Sequence, residues 1–209
     1  MTLRNKFNLD NAVELARLEE KLSKQKAIQL WQSDELKNFQ AGTFKTLAHI
    51  HKRLFEDIYY FAGKIRSENI SKGNFRFASA LYLQEAVAIV EKMPQKTFDE
   101  IIEKYVEMNV AHPFREGNGR SMRIWLDDIL RNELQRVIDW SKVDKNKYLQ
   151  AMERSPINDL EIKKVLSAAL TDKIADREIF MKGLDASYFY EDYYAYRSAD
   201  LNKESGNGD

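Results

Sequence analysis

The segment His112-Pro113-Phe114-Arg115-Glu116-Gly117-Asn118-Gly119-Arg120, followed by Arg123, gathers side chains and backbone suited to handling phosphate esters. Gly117 and Gly119 flank Asn118 at the start of a helical pattern. The backbone there can turn its amides toward one point, and the helix N-terminus adds partial positive charge. That combination is an anion cradle. Arg120 and Arg123 stand three apart and project from the same side of the helix, where their planar forks can clamp phosphate oxygens. Glu116, beside the cradle, is a hard oxygen ligand suited to Mg²⁺ held jointly with phosphates. His112 can accept a proton near neutral pH. Phe114 points inward and anchors the loop. Taken singly, each residue has an ordinary use: a histidine caps a helix, a Gly-x-Gly makes a turn, two arginines form a solvated face, a glutamate answers a helix dipole. Their coincidence in one short segment points to phosphoryl or nucleotidyl transfer.

Helices must position this segment. In residues 43–61 the apolar positions Phe44, Leu47, His51, Leu54, Phe55 and Ile58 fall on one helical face, and Gly63 is a stop just beyond. Residues 64–78 break the pattern: Ile65, Ile70, Phe75 and Phe77 are spaced as strand residues around the turn chemistry of Ser71-Lys72-Gly73-Asn74. A short β-hairpin is expected there, the only β structure in the chain, with a surface loop as the alternative. Residues 81–91 are helical again. Thr97 and Glu100 form a capping box for a helix that runs to Ala111, and Pro113 stops it. Met122, Trp125, Leu126, Ile129 and Leu130 mark the helix after the glycine loop. Asn158-Asp159-Leu160-Glu161 reads as a second capping box, and 176–182 and 185–196 as two further helical stretches. The expected fold class is all-α, a bundle of about seven to nine helices with one hairpin. Residues 1–197 read as a single domain and 198–209 as a flexible tail.

Lys plus Arg number 33, as do Asp plus Glu, and this zero balance argues against direct binding of nucleic acid. Cysteine is absent, which rules out disulfides and thiolate metal sites. No signal-peptide core and no bilayer-spanning apolar run is present, so no membrane partner is expected and a cytoplasmic location is the default. His49 and His51, two apart on a helix, do not share a face and are read as structural rather than as a metal pair.

Residues 112–123 resemble the signature of the Fic domain, His-Pro-Phe-x-Asp/Glu-Gly-Asn-Gly-Arg-x-x-Arg, at every fixed position. The resemblance implies a helical fold with a β-hairpin flap, ATP as substrate and Mg²⁺ as cofactor. It implies that His112 deprotonates a target hydroxyl (Tyr, Ser or Thr) and that Glu116 binds Mg²⁺ between the α and β phosphates. Asn118 and the amides of Gly117 and Gly119 would hold phosphates, and Arg120 and Arg123 the β and γ phosphates. The hydroxyl oxygen would take AMP and release pyrophosphate. Residues 64–78 stand where the family has its flap, which docks an extended target segment. Lys72 on its turn would reach the nucleotide or remain a plain exposed lysine. Asn109 would contact base or ribose or serve as a helix-end cap, and Gln150 is a candidate for the adenine pocket.

Ser187-Tyr188-Phe189-Tyr190-Glu191-Asp192 is similar to the family's inhibitory motif, Ser/Thr-x-x-x-Glu followed by Gly or Asn, with Asp192 departing from the last position. The resemblance implies a C-terminal inhibitory helix, about 185–196, in which Glu191 pairs with Arg123 and takes the cation that should hold the γ-phosphate. Ser187, one turn earlier, would point toward the anion nest. Tyr188 is a candidate automodification site; the bland alternative is a tyrosine-rich packing helix. The leading expectation is an autoinhibited protein adenylyltransferase. The alternatives are removal of AMP at the same site with Glu191 orienting water, transfer of UMP, phosphocholine or phosphate, or a nucleotide-binding interaction module without turnover. The intact Gly117-Asn118-Gly119 disfavours the phosphate-transferring branch. Single-domain relatives of this kind resemble toxins, with type II topoisomerase subunits as one target class. A homo-oligomer burying the C-terminal helix would reinforce the brake.

Overall fold

The computed structural model describes residues 2–73 and 75–205. Among them are nine α-helices: α1 (Ala12–Ser33), α2 (Phe44–Phe55), α3 (Leu83–Glu91), α4 (Phe98–Ala111), α5 (Asn118–Leu134), α6 (Lys145–Arg154), α7 (Leu160–Ser167), α8 (Arg177–Phe189) and α9 (Ser198–Ser205). Four two-residue strands, β1 (Ser71–Lys72), β2 (Phe75–Arg76), β3 (Val137–Ile138) and β4 (Leu170–Thr171), make two antiparallel pairs. No helix among the described residues is long and apolar enough to cross a membrane.

α5 is the central element. It packs against α2, α4, α8 and β3, and Met122, Trp125, Leu126, Ile129 and Leu130 are fully buried. Truncating a side chain such as Trp125 to Ala would cost roughly 3–5 kcal/mol. α4 begins as its sequence dictates: Thr97 accepts from Glu100 N, and Glu100 accepts from Thr97 N at 3.0 Å. Tyr105, Ile101, Ile102 and Met108 then face the core.

Several expectations need correction. Helix α1 carries little signal in the sequence pattern. Its inward face carries Glu19, Glu20, Ser23 and Lys24 beside Leu15, Ala27 and Ile28, so apolar periodicity does not mark it. The hairpin of 64–78 is present, with Ser71 opposite Arg76 and Lys72 opposite Phe75. It is not the only β structure, because β3 pairs with β4. The second capping box does not form. Asn158 Oδ1 accepts from Leu160 N, while Glu161 turns to Arg154 with two hydrogen bonds. The stretches expected at 176–182 and 185–196 are one helix, α8, which ends at Phe189, so Glu191 lies beyond it. The expected tail is helical over Ser198–Ser205, with Ser198 and Leu201 buried. Asn74 of the hairpin turn and residues 206–209 lie outside the described residues.

Candidate active site

α4 and α5 are joined by a loop that delivers the site residues. His112 is the C-cap of α4 and takes a left-handed backbone, φ 49°. Its N–H still bonds Met108 O at 2.9 Å, and its Nδ1 lies 3.2 Å from Asn109 O. Donation from Nδ1–H to that carbonyl leaves Nε2 as the lone-pair nitrogen. The ring stacks on Phe77 of the hairpin at 3.7 Å between centroids. Burial lowers its pKa to about 4. The Asn109 carbonyl and Glu191 act in the opposite direction, and Arg66 and Lys72 reinforce the fall. The imidazole is therefore neutral at pH 7 and free to take a proton.

The loop itself is locked from inside. Asn118 Nδ2 donates to Phe114 O at 2.7 Å, and Asn118 Oδ1 accepts from Phe114 N at 2.8 Å. Its amide is thus consumed in closing the loop rather than pointing at a ligand. His51 donates through Nε2 to Glu116 O at 2.8 Å, accepts from Gly63 N at 2.9 Å and stacks on Phe114. It is structural, as its spacing implies, and it fixes the very loop that carries the chemistry. Gly117 has φ +76°, and a Cβ there would come within 2.4 Å of the Phe55 ring, so only glycine fits.

Arg120 and Arg123 are both buried on α5. Arg120 Nη1 donates to Glu19 Oε1 at 2.6 Å and Nη2 to Glu116 Oε1 at 3.1 Å. Its Nε lies 2.9 Å from Glu191 Oε2 but is not aimed at it, so this contact is a charge pair and not a hydrogen bond. Arg123 Nε donates to Ser187 Oγ at 2.6 Å, and Nη2 to Ser187 O and to Glu191 Oε1 at 2.8 and 2.7 Å. Phe55, Tyr188 and Tyr193 surround the Arg120 guanidinium, and Tyr148 and Tyr190 that of Arg123. Burial opposes both charges, yet Glu191 and, for Arg120, Glu19 keep the two guanidiniums firmly protonated. Burial likewise opposes ionisation of Glu191, and Arg120 with Arg123 overcome it, holding its carboxyl below the usual range.

The Glu191 carboxylate occupies the cradle. A Cβ on Gly119 would meet Glu191 Oε1 at 2.3 Å. Glu191 is held there by a helix terminus: Tyr193 N bonds Tyr188 O, and Asp192 N bonds Phe189 O, both at 3.1 Å. This is a Schellman motif with Asp192 at C′, φ 65°. The departure from Gly or Asn in the motif therefore falls on the one position that demands a left-handed backbone.

The other expected residues divide. Ser187 is buried against Arg123. Lys72 is exposed on the hairpin turn, and its charge reaches both His112 and Glu191. Asn109 contributes its backbone carbonyl to His112. Gln150 is exposed on α6 and nothing draws it into the site, although Tyr148 of the same helix touches Arg123. Tyr188 does not present a hydroxyl to the site. It is fully buried, bonds Ser23 Oγ at 2.8 Å and has its pKa raised by burial, so the automodification expectation does not fit this conformation.

Glu116 is the one carboxylate facing the cradle from the signature loop, and it accepts from Gly117 N at 2.9 Å. Among the described residues no group of three or more His, Cys, Asp or Glu could hold a metal ion. This donor set fits an ion that arrives with phosphates and takes one protein carboxylate, the habit of Mg²⁺.

Sequence reasoning missed Glu19, whose Oε1 also accepts from Tyr193 OH at 2.8 Å and whose Oε2 accepts from Tyr59 OH. It also missed Arg66. Neither lies in a motif; the only signal was a charged residue at a core-facing position.

The Fic/DOC family model matches residues 42–130. The chain is similar to protein adenylyltransferase VbhT of Bartonella schoenbuchensis, 34% identical over 113 residues that make up 49% of this chain and 23% of VbhT. It thus spans about a quarter of that relative's length. It is also similar to a probable protein adenylyltransferase, y4lH, of Sinorhizobium fredii, 28% identical across 76% of this chain and 85% of the relative. The crystal structure of BepC from Bartonella tribocorum with bound AMPPNP shares the fold at a TM-score of 0.70 and 18% identity, covering 82% of this chain and 93% of BepC. The comparisons thus place a Fic/DOC domain within the chain, over residues 42–130.

Proposed function

We propose that the chain is a protein adenylyltransferase held in check by its own Glu191. The observation that carries this reading is a buried anion already seated in an anion cradle. The Glu191 carboxylate spans Arg120 and Arg123 at 2.9 and 2.7 Å above Gly119. A site built for a carboxylate between two guanidinium forks at a helix N-terminus takes phosphate oxygens by the same chemistry. Relatives named as adenylyltransferases support ATP as the source of the phosphates.

In the transfer step, Nε2 of His112 accepts the proton of an acceptor hydroxyl. The hydroxyl oxygen forms a bond to the α-phosphorus, the bond from that phosphorus to the β-bridging oxygen breaks, and pyrophosphate leaves in line. Arg120 and Arg123 hold the β and γ phosphates once Glu191 has withdrawn. Glu116 would hold Mg²⁺, which when bound neutralises charge on the phosphate oxygens. The hairpin, stacked on His112 through Phe77, aligns an extended acceptor segment. A second reading is removal of AMP from a modified protein, in which Glu191, whose charge acts on His112, would orient the attacking water.

The test is transfer of label from α-labelled ATP with Mg²⁺ in a bacterial lysate. It compares wild type, Glu191→Gly, and Glu191→Gly with His112→Ala. The expected result is strong labelling by Glu191→Gly alone. Equal, low labelling by all three while ATP still binds would overturn the proposal. Release of AMP from prelabelled protein by wild type but not by Glu191→Gly would favour the second reading.

A further inference from the structure

Arg66 begins the hairpin's first leg and is 5% exposed. Among the described residues it has no carboxylate within ion-pair distance; its partners are backbone carbonyls. Nε donates to His112 O at 2.8 Å, Nη2 to Ala78 O at 2.6 Å and Ala111 O at 3.2 Å, and Nη1 to Glu68 O at 2.5 Å. Its own N–H bonds Pro113 O at 2.9 Å, and Ala78 N bonds Val110 O at 3.0 Å. Carbonyls 110, 111, 112 and 113 in succession are therefore held by the two legs of the hairpin.

The last four carbonyls of a helix have no partner within it. In α4 those of Met108 and Asn109 go to His112, that of Val110 to Ala78 and that of Ala111 to Arg66. His112 itself sits in a left-handed conformation, which costs an L residue energy and persists only where the surroundings enforce it. Arg66 grips the carbonyl on that residue. The same guanidinium ties Glu68 on one leg of the hairpin and Ala78 on the other. Only a planar fork with several fixed donors can reach these carbonyls at once.

We infer that Arg66 is a positioning residue for transfer, clasping the substrate-aligning hairpin and His112 into one rigid unit so that the acceptor hydroxyl meets Nε2. This inference rests on the adenylyl-transfer reading for its activity readout only. The guanidinium bonds none of the cradle residues, so it acts on acceptor alignment and not on nucleotide binding.

The experiment uses the full chain carrying Glu191→Gly, with Arg66→Lys and Arg66→Met added singly. Affinity for a non-hydrolysable ATP analogue is read by calorimetry, and label transfer to the most strongly labelled lysate protein is read across pH. Expected are analogue affinity within about twofold of the parent and transfer lower by on the order of 10²-fold, the scale of an ångström-sized misplacement. Arg66→Met should also move the acid limb of the rate profile to higher pH. It removes one of the two cations, Arg66 and Lys72, that oppose protonation of His112, and Glu191 is already absent. Transfer equal to the parent in Arg66→Lys, or transfer falling only in step with analogue affinity, overturns the inference. Should the parent itself transfer no label, the functional reading fails, and the clasp is judged separately. Hydrogen exchange at 64–78 and the His112 ring titration by NMR must both change in Arg66→Met, and no change in either refutes it.

Discussion

Asp192 offers a measurable handle on the brake. It occupies C′ of the α8 terminus at φ 65°, and its side chain pairs with Lys145. A non-glycine residue in this region costs roughly 1–2 kcal/mol, with aspartate at the low end because its short polar side chain bonds locally. The pair contributes little: the Asp192 side chain is 83% exposed, and such pairs are worth about 0–1 kcal/mol. Asp192→Gly therefore relieves about 1 kcal/mol of backbone strain and, with a side chain so largely in solvent, loses only the lower half of the pairing range, up to about 0.5 kcal/mol. The closed brake is favoured by a net ~0.5–1 kcal/mol. The gain is felt only while the Schellman bonds from Tyr193 and Asp192 are made, that is, while Glu191 is seated. At about 1.4 kcal/mol per tenfold, basal transfer should fall roughly 2–5-fold. Asp192→Ala keeps the strain and removes the local bonding, so basal transfer should rise by a similar factor. Initial rates of label transfer for the three proteins, with thermal midpoints as a control, check both signs. If Asp192→Gly raises the rate, or Asp192→Ala lowers it, the terminus does not set the brake.

The segment after the brake is strapped to α1, because Lys24 Nζ bonds Glu20, Asp185 and the Tyr196 carbonyl, and Glu20 accepts from Ala195 N and Tyr196 N. Lys24→Met strands buried Glu20, at a cost of about 3–5 kcal/mol. Basal transfer should rise at least about tenfold and amides 193–198 should exchange faster, whereas unchanged exchange refutes the strap. The two most depressed histidines should make stability fall on acidification, against the smaller opposite pull of Asp127 and Asp128, whose carboxyls burial raises to about 6. His51 and His112 have native pKa values lowered from 6.5 to about 3 and about 4, so the unfolded chain binds protons that the native chain refuses. Their contribution is complete above pH 6.5 and is lost as pH falls toward the folded values, by up to about 1.4 kcal/mol per pH unit for each histidine. Chemical denaturation at pH 7 and pH 5 measures the loss, and a His51→Gln variant should show a shallower slope.

Much of the site is legible because its residues are adjacent in sequence. The run 112–123 forms one loop and helix start, and the Thr97–Glu100 box and the Ser187–Glu191 spacing find their partners within the chain. What escapes the sequence is pairing over long separations. Glu19 meets Arg120 across 101 residues, and Lys24 meets Asp185 across 161. Helix α1 buries exactly those polar residues, and a buried charge reads as a solvated one until its partner is known. Arg66 is hidden for a similar reason. Its acceptors are carbonyls, which no residue type announces. The helix falls short of the expected 185–196 because a left-handed Asp192 is indistinguishable in sequence from an ordinary helical aspartate.

The two arginines are not equivalent, and under the proposed function the difference would govern how the brake opens. Arg120 keeps Glu19 and Glu116 when Glu191 leaves. Arg123 has no other carboxylate partner among the described residues, and it lies buried among Tyr148, Tyr190 and Ser187. Withdrawal of Glu191 without an incoming anion therefore leaves a stranded buried guanidinium, which costs several kcal/mol. An incoming phosphate removes that cost by restoring a negative charge at the same place. Under the proposed function, brake release and nucleotide seating would thus be a single exchange of anions on Arg123, and the chain would stay closed at rest because the empty open state is the one with an unpaired charge.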